Sequence, residues 1–337
     1  MTLTALATMR CVIWADGGRV EVVSRPLPRI ARPRDVLVRV HATGICGTDR
    51  AIVLGEFPAE PGVLLGHETS GEVVAAGSDA GLSPGDPVVI NPTFFCGECF
   101  HCLRGRAEHC DRKDGREVGI DCPGTMAEYF VADERFLHRL PAGLSYTRAS
   151  LIEPLACVLA NLEAAAPAWG HRVIVAGGGP IGLLAALVLG VRGHRPWLVE
   201  RDPYRTALAR RALPGVQVAS TLAEVPHPPD VVLDTTGLLL AESVAAVAPG
   251  GTVVVMGERE GATARLGARA IATRGIGVVG AGPYPPRLFR IAADLAAELP
   301  MERLVTHELP LGDAVEAFAL LGIGGGAYRA GKVLLIP

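Results

Sequence analysis

Residues 172–191, RVIVAGGGPIGLLAALVLGV, decide the fold. An apolar run, VIVA, meets a glycine-rich turn and then a long apolar stretch, which predicts strand, turn and helix in succession. Gly177, Gly179 and Gly182 stand in G-x-G-x-x-G order across the junction, with Pro180 suited to a first helical position and Ile181 next to it. Glycines here permit a tight turn and let backbone N–H groups approach a pyrophosphate at the positive end of the helix dipole. Glu200 closes the next candidate strand, PWLVE, 23 residues after Gly177. A carboxylate there accepts hydrogen bonds from an adenosine ribose and repels a 2′-phosphate. The pattern predicts a dinucleotide site preferring NAD, with Arg201 the neighbour that could pair with the phosphate of NADP instead.

Downstream, DVVLDTTG, GTVVVMG and GIGVVGAG read as further strands spaced by helical or loop segments such as DPYRTALARRAL. Strands alternating with helices predict a parallel, doubly wound sheet over residues 151–282. The preceding chain is different. Short β-rich runs, CVIW, DVLVRV, GEVVAAG, DPVVI and AEYFVA, separated by turns such as SPGDP, predict a largely antiparallel, barrel-like domain. That domain is expected to span residues 1–150 and 283–337, because the final strand GKVLLIP has no place in a finished parallel sheet. The fold class is therefore α/β, a β-rich barrel domain joined to a doubly wound dinucleotide-binding domain.

A chain of 337 residues suits two cores. The net charge of -3 gives no footprint for nucleic acid or an anionic membrane, and no apolar run is long enough to span a bilayer, so small-molecule partners are favoured. Only two of the 32 basic residues are lysines, Lys113 and Lys332, a bias that suggests a GC-rich genome rather than a function. The N-terminal stretch MTLTALATMRCVIW lacks the pattern of a secretion signal, so a cytoplasmic protein is expected.

In a reducing compartment, clustered cysteines are metal ligands more often than disulfides. Half of the eight cysteines, Cys96, Cys99, Cys102 and Cys110, fall within CGECFHCLRGRAEHC at C-x2-C-x2-C-x7-C spacing. Four thiolates complete a tetrahedral, closed site, leaving His101 and His109 as bystanders. A second set is dispersed: Cys46 in ICGTD, His67 and Glu68 in GHE, and Glu153 in IEPLA. One thiolate, one imidazole and carboxylates make a soft-to-borderline set suited to zinc.

Taken together, GICGTD, GHETSGEVV, the four-cysteine lobe, IEPLA and VAGGGPIG resemble, in the same order, the zinc-dependent medium-chain dehydrogenase/reductases of the alcohol dehydrogenase superfamily. The resemblance runs from Met9 to the C-terminus; residues 1–8 precede it and are expected to be disordered, or Met9 to be the initiator. It implies a GroES-like catalytic domain, a Rossmann domain, two zinc ions per chain and a homodimer or homotetramer. Cys46 and His67 match catalytic zinc ligands, Glu153 matches a further ligand as in polyol and threonine dehydrogenases, and Glu68 matches a glutamate that either ligates zinc or stands behind it. Thr48 matches the hydroxyl that contacts the reacting oxygen, and Asp49 the aspartate that hydrogen-bonds the zinc-binding histidine. Where many relatives continue the proton relay with a histidine, this chain has Ala51.

The reaction implied is hydride transfer between a secondary alcohol, such as a polyol, cyclitol or aminocyclitol, and NAD. Arg50, Phe57, Phe94 and Glu128 are placed where the family lines its substrate cleft. Two other readings compete: a zinc-free or NADPH-linked aldehyde or enone reductase, and a non-catalytic binding descendant. The intact ligand set and Glu200 argue against the first, and counting the metal separates the second.

Overall fold

Apolar β-branched runs become strands here, and the computed structural model describes residues 7–337 in two compact units. One extends to Glu153 and resumes at Pro285–Pro337; the other is Pro154–Tyr284.

In the first unit, β1 (Thr8–Ala15) and β2 (Arg19–Pro26) form an antiparallel hairpin. β3 (Asp35–Gly44), β4 (Glu68–Ala76), β5 (Pro87–Ile90), β6 (Tyr129–Asp133) and β7 (Leu137–Arg139) follow. The second unit holds β8 (Val173–Ala176), β9 (Trp197–Val199), β10 (Gln217–Ala219), β11 (Val231–Asp234), β12 (Thr252–Val255) and β13 (Gly277–Gly280). The chain then returns to the first unit with β14 (Val305–Pro310) and β15 (Lys332–Ile336).

The sheet of the first unit has the order β14-β15-β3-β4-β5-β7, with β6 also paired to β3. It is an open path rather than a closed ring; isolated bridges Cys11↔Ala127 and Ile13↔Leu64 tie the hairpin to neighbouring loops. All pairings are antiparallel except β14 with β15, which run parallel. The last strand pairs with β3, Leu334 opposite Gly44. One core of this unit gathers Val12, Ile52, Val53, Phe318, Val333 and Leu335, and so clamps the helix Gly47–Val53 against β15. Another fills the far end of the sheet with Val36, Val38, Val73, Val88 and Phe130.

The second unit is a six-stranded, all-parallel sheet in the order β10-β9-β8-β11-β12-β13. Its central strand VIVA is buried throughout, as a parallel strand covered on both faces must be. The order reverses between β8 and β11, the place where a doubly wound sheet opens a crevice for a ligand.

The expectation of disorder at residues 1–8 falls outside the described residues for positions 1–6. At Thr8 the chain is already in β1, paired with Pro26. Four strands, β2, β7, β10 and β14, lie outside the predicted runs.

Candidate functional site

Strand pairing builds the dispersed site. β3 ends at Gly44 and β4 begins at Glu68, and these two residues are register partners, so the loop after one strand meets the residue before the other. Cys46 caps the helix Gly47–Val53 and His67 immediately precedes β4. Ligand atoms of Cys46, His67 and Glu68 all lie within 4.8 Å of one another. Glu153, buried in the first turn of the helix Ile152–Ala165, stands outside that trio but near enough to act electrostatically on His67.

Asp49 organises the loop. Fully buried, it accepts the Cys46 N–H at 2.8 Å and the Gly66 N–H at 3.0 Å, tying both ligand-bearing segments together. Its Oδ1 is 3.8 Å from His67 Nδ1, an ion-pair distance longer than a hydrogen bond. Thr48 is half-buried, with Oγ1 3.8 Å from Cys46 Sγ.

The donor set fits a cation. Burial disfavours a charged His67, yet Asp49, the Cys46 thiol and Glu153 outweigh it and push the imidazole well above its ordinary pKa. His67 Nδ1 is buried without a hydrogen-bond partner, whereas Glu68 Oε2, also buried, is met by the Lys332 ammonium. Such crowding of anions calls for positive charge, and a thiolate, an imidazole and a carboxylate are the donors zinc takes.

The four-cysteine lobe fits a closed zinc site equally well. Cys96 Sγ lies 3.9 Å from Cys102 Sγ, and Cys99 Sγ 3.9 Å from Cys110 Sγ. With Zn–S of about 2.3 Å, a tetrahedron has edges of about 3.8 Å, whereas a disulfide needs about 2.05 Å. Backbone N–H groups of Glu98 and Cys99 point at Cys96 Sγ at 3.4 and 3.3 Å. Those bonds help draw the Cys96 thiol down to about 6, while burial pushes Cys102 up to about 12. Four thiols this close cannot all ionise without a cation among them. His101 turns instead to Asp111 at 3.6 Å.

In the second unit Gly177 has φ +105, a conformation costly for other residues, and a Cβ on Gly182 would collide with the Gly177 carbonyl. Both glycines are required by the turn. Gly179 caps the helix Pro180–Val191, with Pro180 at its first position and Ile181 beside it, half-buried. Glu200 Oε2 accepts the Gly178 N–H and Oε1 the Asp202 N–H, each at 2.8 Å. Arg205 lies 3.7 Å from Glu200, and Arg201 is exposed.

Residues expected along a substrate cleft each have partners of their own. Glu128 pairs with Arg10 at 2.9 Å, Arg50 donates to the Leu321 carbonyl at 2.8 Å, and Phe57 packs on the core. Phe94 carries the Arg116 guanidinium 4.7 Å from its ring centre. The sequence reading missed Lys332, which is buried and ion-paired with Glu68. Burial opposes its charge, but Glu68, Cys46 and Glu153 outweigh that and raise its pKa. The one signal available was the scarcity of lysine itself.

Comparison with known proteins follows the same lines. The alcohol dehydrogenase GroES-like domain matches residues 32–142. A sorbitol dehydrogenase of Halalkalibacterium halodurans is 30% identical, the match covering 95% of this chain and 96% of that one. An L-arabinitol 4-dehydrogenase of Aureobasidium melanogenum is 31% identical, covering 85% and 83%. A solved structure from Sinorhizobium meliloti, described as a zinc-binding dehydrogenase bound to NADP, superposes with a TM-score of 0.89 at 31% identity, covering 98% of this chain and 100% of that one. Likeness over nearly the full length, in sequence and in fold, places the chain in the zinc-dependent medium-chain dehydrogenase/reductases of the alcohol dehydrogenase superfamily, among those of polyol type.

Proposed function

We propose that the protein is an NAD-dependent dehydrogenase that interconverts a secondary alcohol and its ketone, with a polyol, cyclitol or aminocyclitol as substrate. The observation that carries this reading is the cluster of half-buried Cys46 with buried His67 and Glu68 at the meeting of β3 and β4. Cys46, His67 and Glu153 would hold the catalytic zinc, and Cys96, Cys99, Cys102 and Cys110 a structural one. Bound at the first site, zinc supplies Lewis acidity that lowers the pKa of the substrate hydroxyl.

The chain's own residues do the rest. Thr48 takes the hydroxyl proton, and Asp49 holds the Cys46 and Gly66 backbones in place while facing His67. Held by the glycine turn and Glu200, NAD would supply the acceptor for the carbon-bound hydrogen as hydride, so that alcohol becomes ketone. Ala51 stands where the usual relay continues with a histidine, so Thr48 is the last side chain of this relay and hands its proton to solvent.

The glycine turn and the first turn of the helix Pro180–Val191 would bind the pyrophosphate, and Glu200 the ribose. Support for a polyol comes from the two relatives named for sorbitol and L-arabinitol. The neighbour holding NADP is the counterweight to NAD, and Arg201 and Arg205 are the residues that could serve that phosphate here. The same reading assigns a homodimer or homotetramer, measurable by sedimentation, in the cytoplasm. No helix among the described residues is long and apolar enough to cross a membrane.

The test is a panel of polyols, cyclitols and amino alcohols assayed for NADH formation. Turnover of at least one is expected, falling to background in Cys46→Ser while the folded spectrum is kept. Full activity in that variant would refute the metal-assisted reading.

A further inference from the structure

Beneath the Cys46–His67 cluster lies a charge that the reaction above does not use. Lys332, 2% exposed at the start of β15, pairs with Glu68 and donates to the Ile45 carbonyl at 3.0 Å. Strand order explains the meeting. β15, β3 and β4 lie side by side, Leu334 opposite Gly44 and Gly44 opposite Glu68, so Lys332, two residues before Leu334, shares their face. The middle of that row has no side chain. A Cβ on Gly44 would collide with Glu68 Oε2 and come 2.8 Å from Lys332 Cε. Through this gap the lysine stem crosses β3 to reach the carboxylate.

We propose that Lys332 is a positioning residue that holds Glu68 off the catalytic metal and so keeps one coordination position open for substrate. The inference rests on the reading of Cys46, His67 and Glu153 as the protein ligands. A Glu68 oxygen already lies within 4.8 Å of the Cys46 and His67 ligand atoms, within reach of a metal held between them. A fourth protein ligand would close the position that distinguishes a catalytic zinc site from a structural one. The pocket's charges balance only with the lysine. The Cys46 thiolate, Glu68 and Glu153 are three anions, matched by a divalent ion and one ammonium, while Asp49 is held separately by two N–H groups and His67. Remove the ammonium and Glu68 becomes a buried carboxylate whose nearest cation is the metal.

The test uses the full chain with cobalt(II) replacing zinc, read by its visible d–d band, and imidazole as the probe of the open position. Imidazole should shift the band in the unaltered protein, whereas the closed four-cysteine site does not respond. Lys332→Met should weaken imidazole binding by about tenfold or more, the scale of effect seen when a residue behind a metal ligand is lost. Lys332→Met with Glu68→Gln should restore it, and Glu68→Gln alone should leave it at the unaltered level. Unaltered binding in Lys332→Met overturns the inference. So does binding tenfold tighter in Glu68→Gln, since Glu68 would then already occupy the position; this reading stands even if Lys332→Met does not fold. A protein with no imidazole-sensitive band overturns the metal-site reading, and the inference with it.

Discussion

On the proposed function, Glu200 carries two loads. Its two oxygens take the Gly178 and Asp202 N–H groups, which fixes the glycine turn, and each oxygen keeps a lone pair for a ribose hydroxyl. In Glu200→Ala the charge that opposes a 2′-phosphate is gone, and Arg201 and Arg205 remain. Loss of a charged hydrogen bond of about 1.5–3 kcal/mol should raise the KM for NAD roughly tenfold to a hundredfold. The KM for NADP should fall. Unchanged NAD to NADP ratios in steady-state kinetics would remove Glu200 from the ribose site. The spacing from Gly177 made this residue legible in sequence, because turn, helix and second strand are contiguous along the chain.

At the scale of an element, the lobe between Cys96 and Cys110 has a four-residue helix, Phe100–Leu103, and a short 3-10 helix, Ala107–His109, with no buried residue in either. On the proposed reading, metal ligation replaces a core there. Cys99→Ala should lose one zinc and lower the thermal midpoint, where Cys46→Ser loses activity at an unchanged midpoint; a Cys99→Ala protein of normal stability but no activity would contradict the assignment. On β7, His138 packs against Phe289 at 5.1 Å between centroids, and burial, assisted by Arg290, lowers its pKa from 6.5 to about 4. The unfolded chain therefore binds a proton below pH 6.5 that the folded one refuses until about pH 4, so stability falls as pH drops through that window. The loss is at most about 3 kcal/mol. Denaturant titrations of His138→Leu at pH 7 and pH 4.5 should show that much less acid sensitivity than the parent protein.

Across the whole molecule, the two clusters predict two zinc ions per chain by mass spectrometry under native conditions or by elemental analysis. One ion, retained in Cys46→Ser and lost in Cys99→Ala, would leave the lobe intact and deny the catalytic site. Both clusters were visible as residue types, but for different reasons. The lobe is local, four cysteines within one loop, whereas Cys46 and His67 gained meaning only from motif order along the chain. Their convergence depends on the β3–β4 register. β7 and β10 escaped prediction because three residues show no period.

The sequence by itself determined the α/β class, the glycine turn, the four-cysteine cluster and which dispersed residues are candidate donors, because each is written in short-range spacing or in residue chemistry. Tertiary structure alone decided what surrounds those donors. Lys332 read as a compositional accident until β15 was found paired with β3, bringing it against Ile45, 287 residues away, and into contact with Glu68. A buried ion pair is made by strands that meet only in the folded sheet, and no spacing along the chain encodes that meeting.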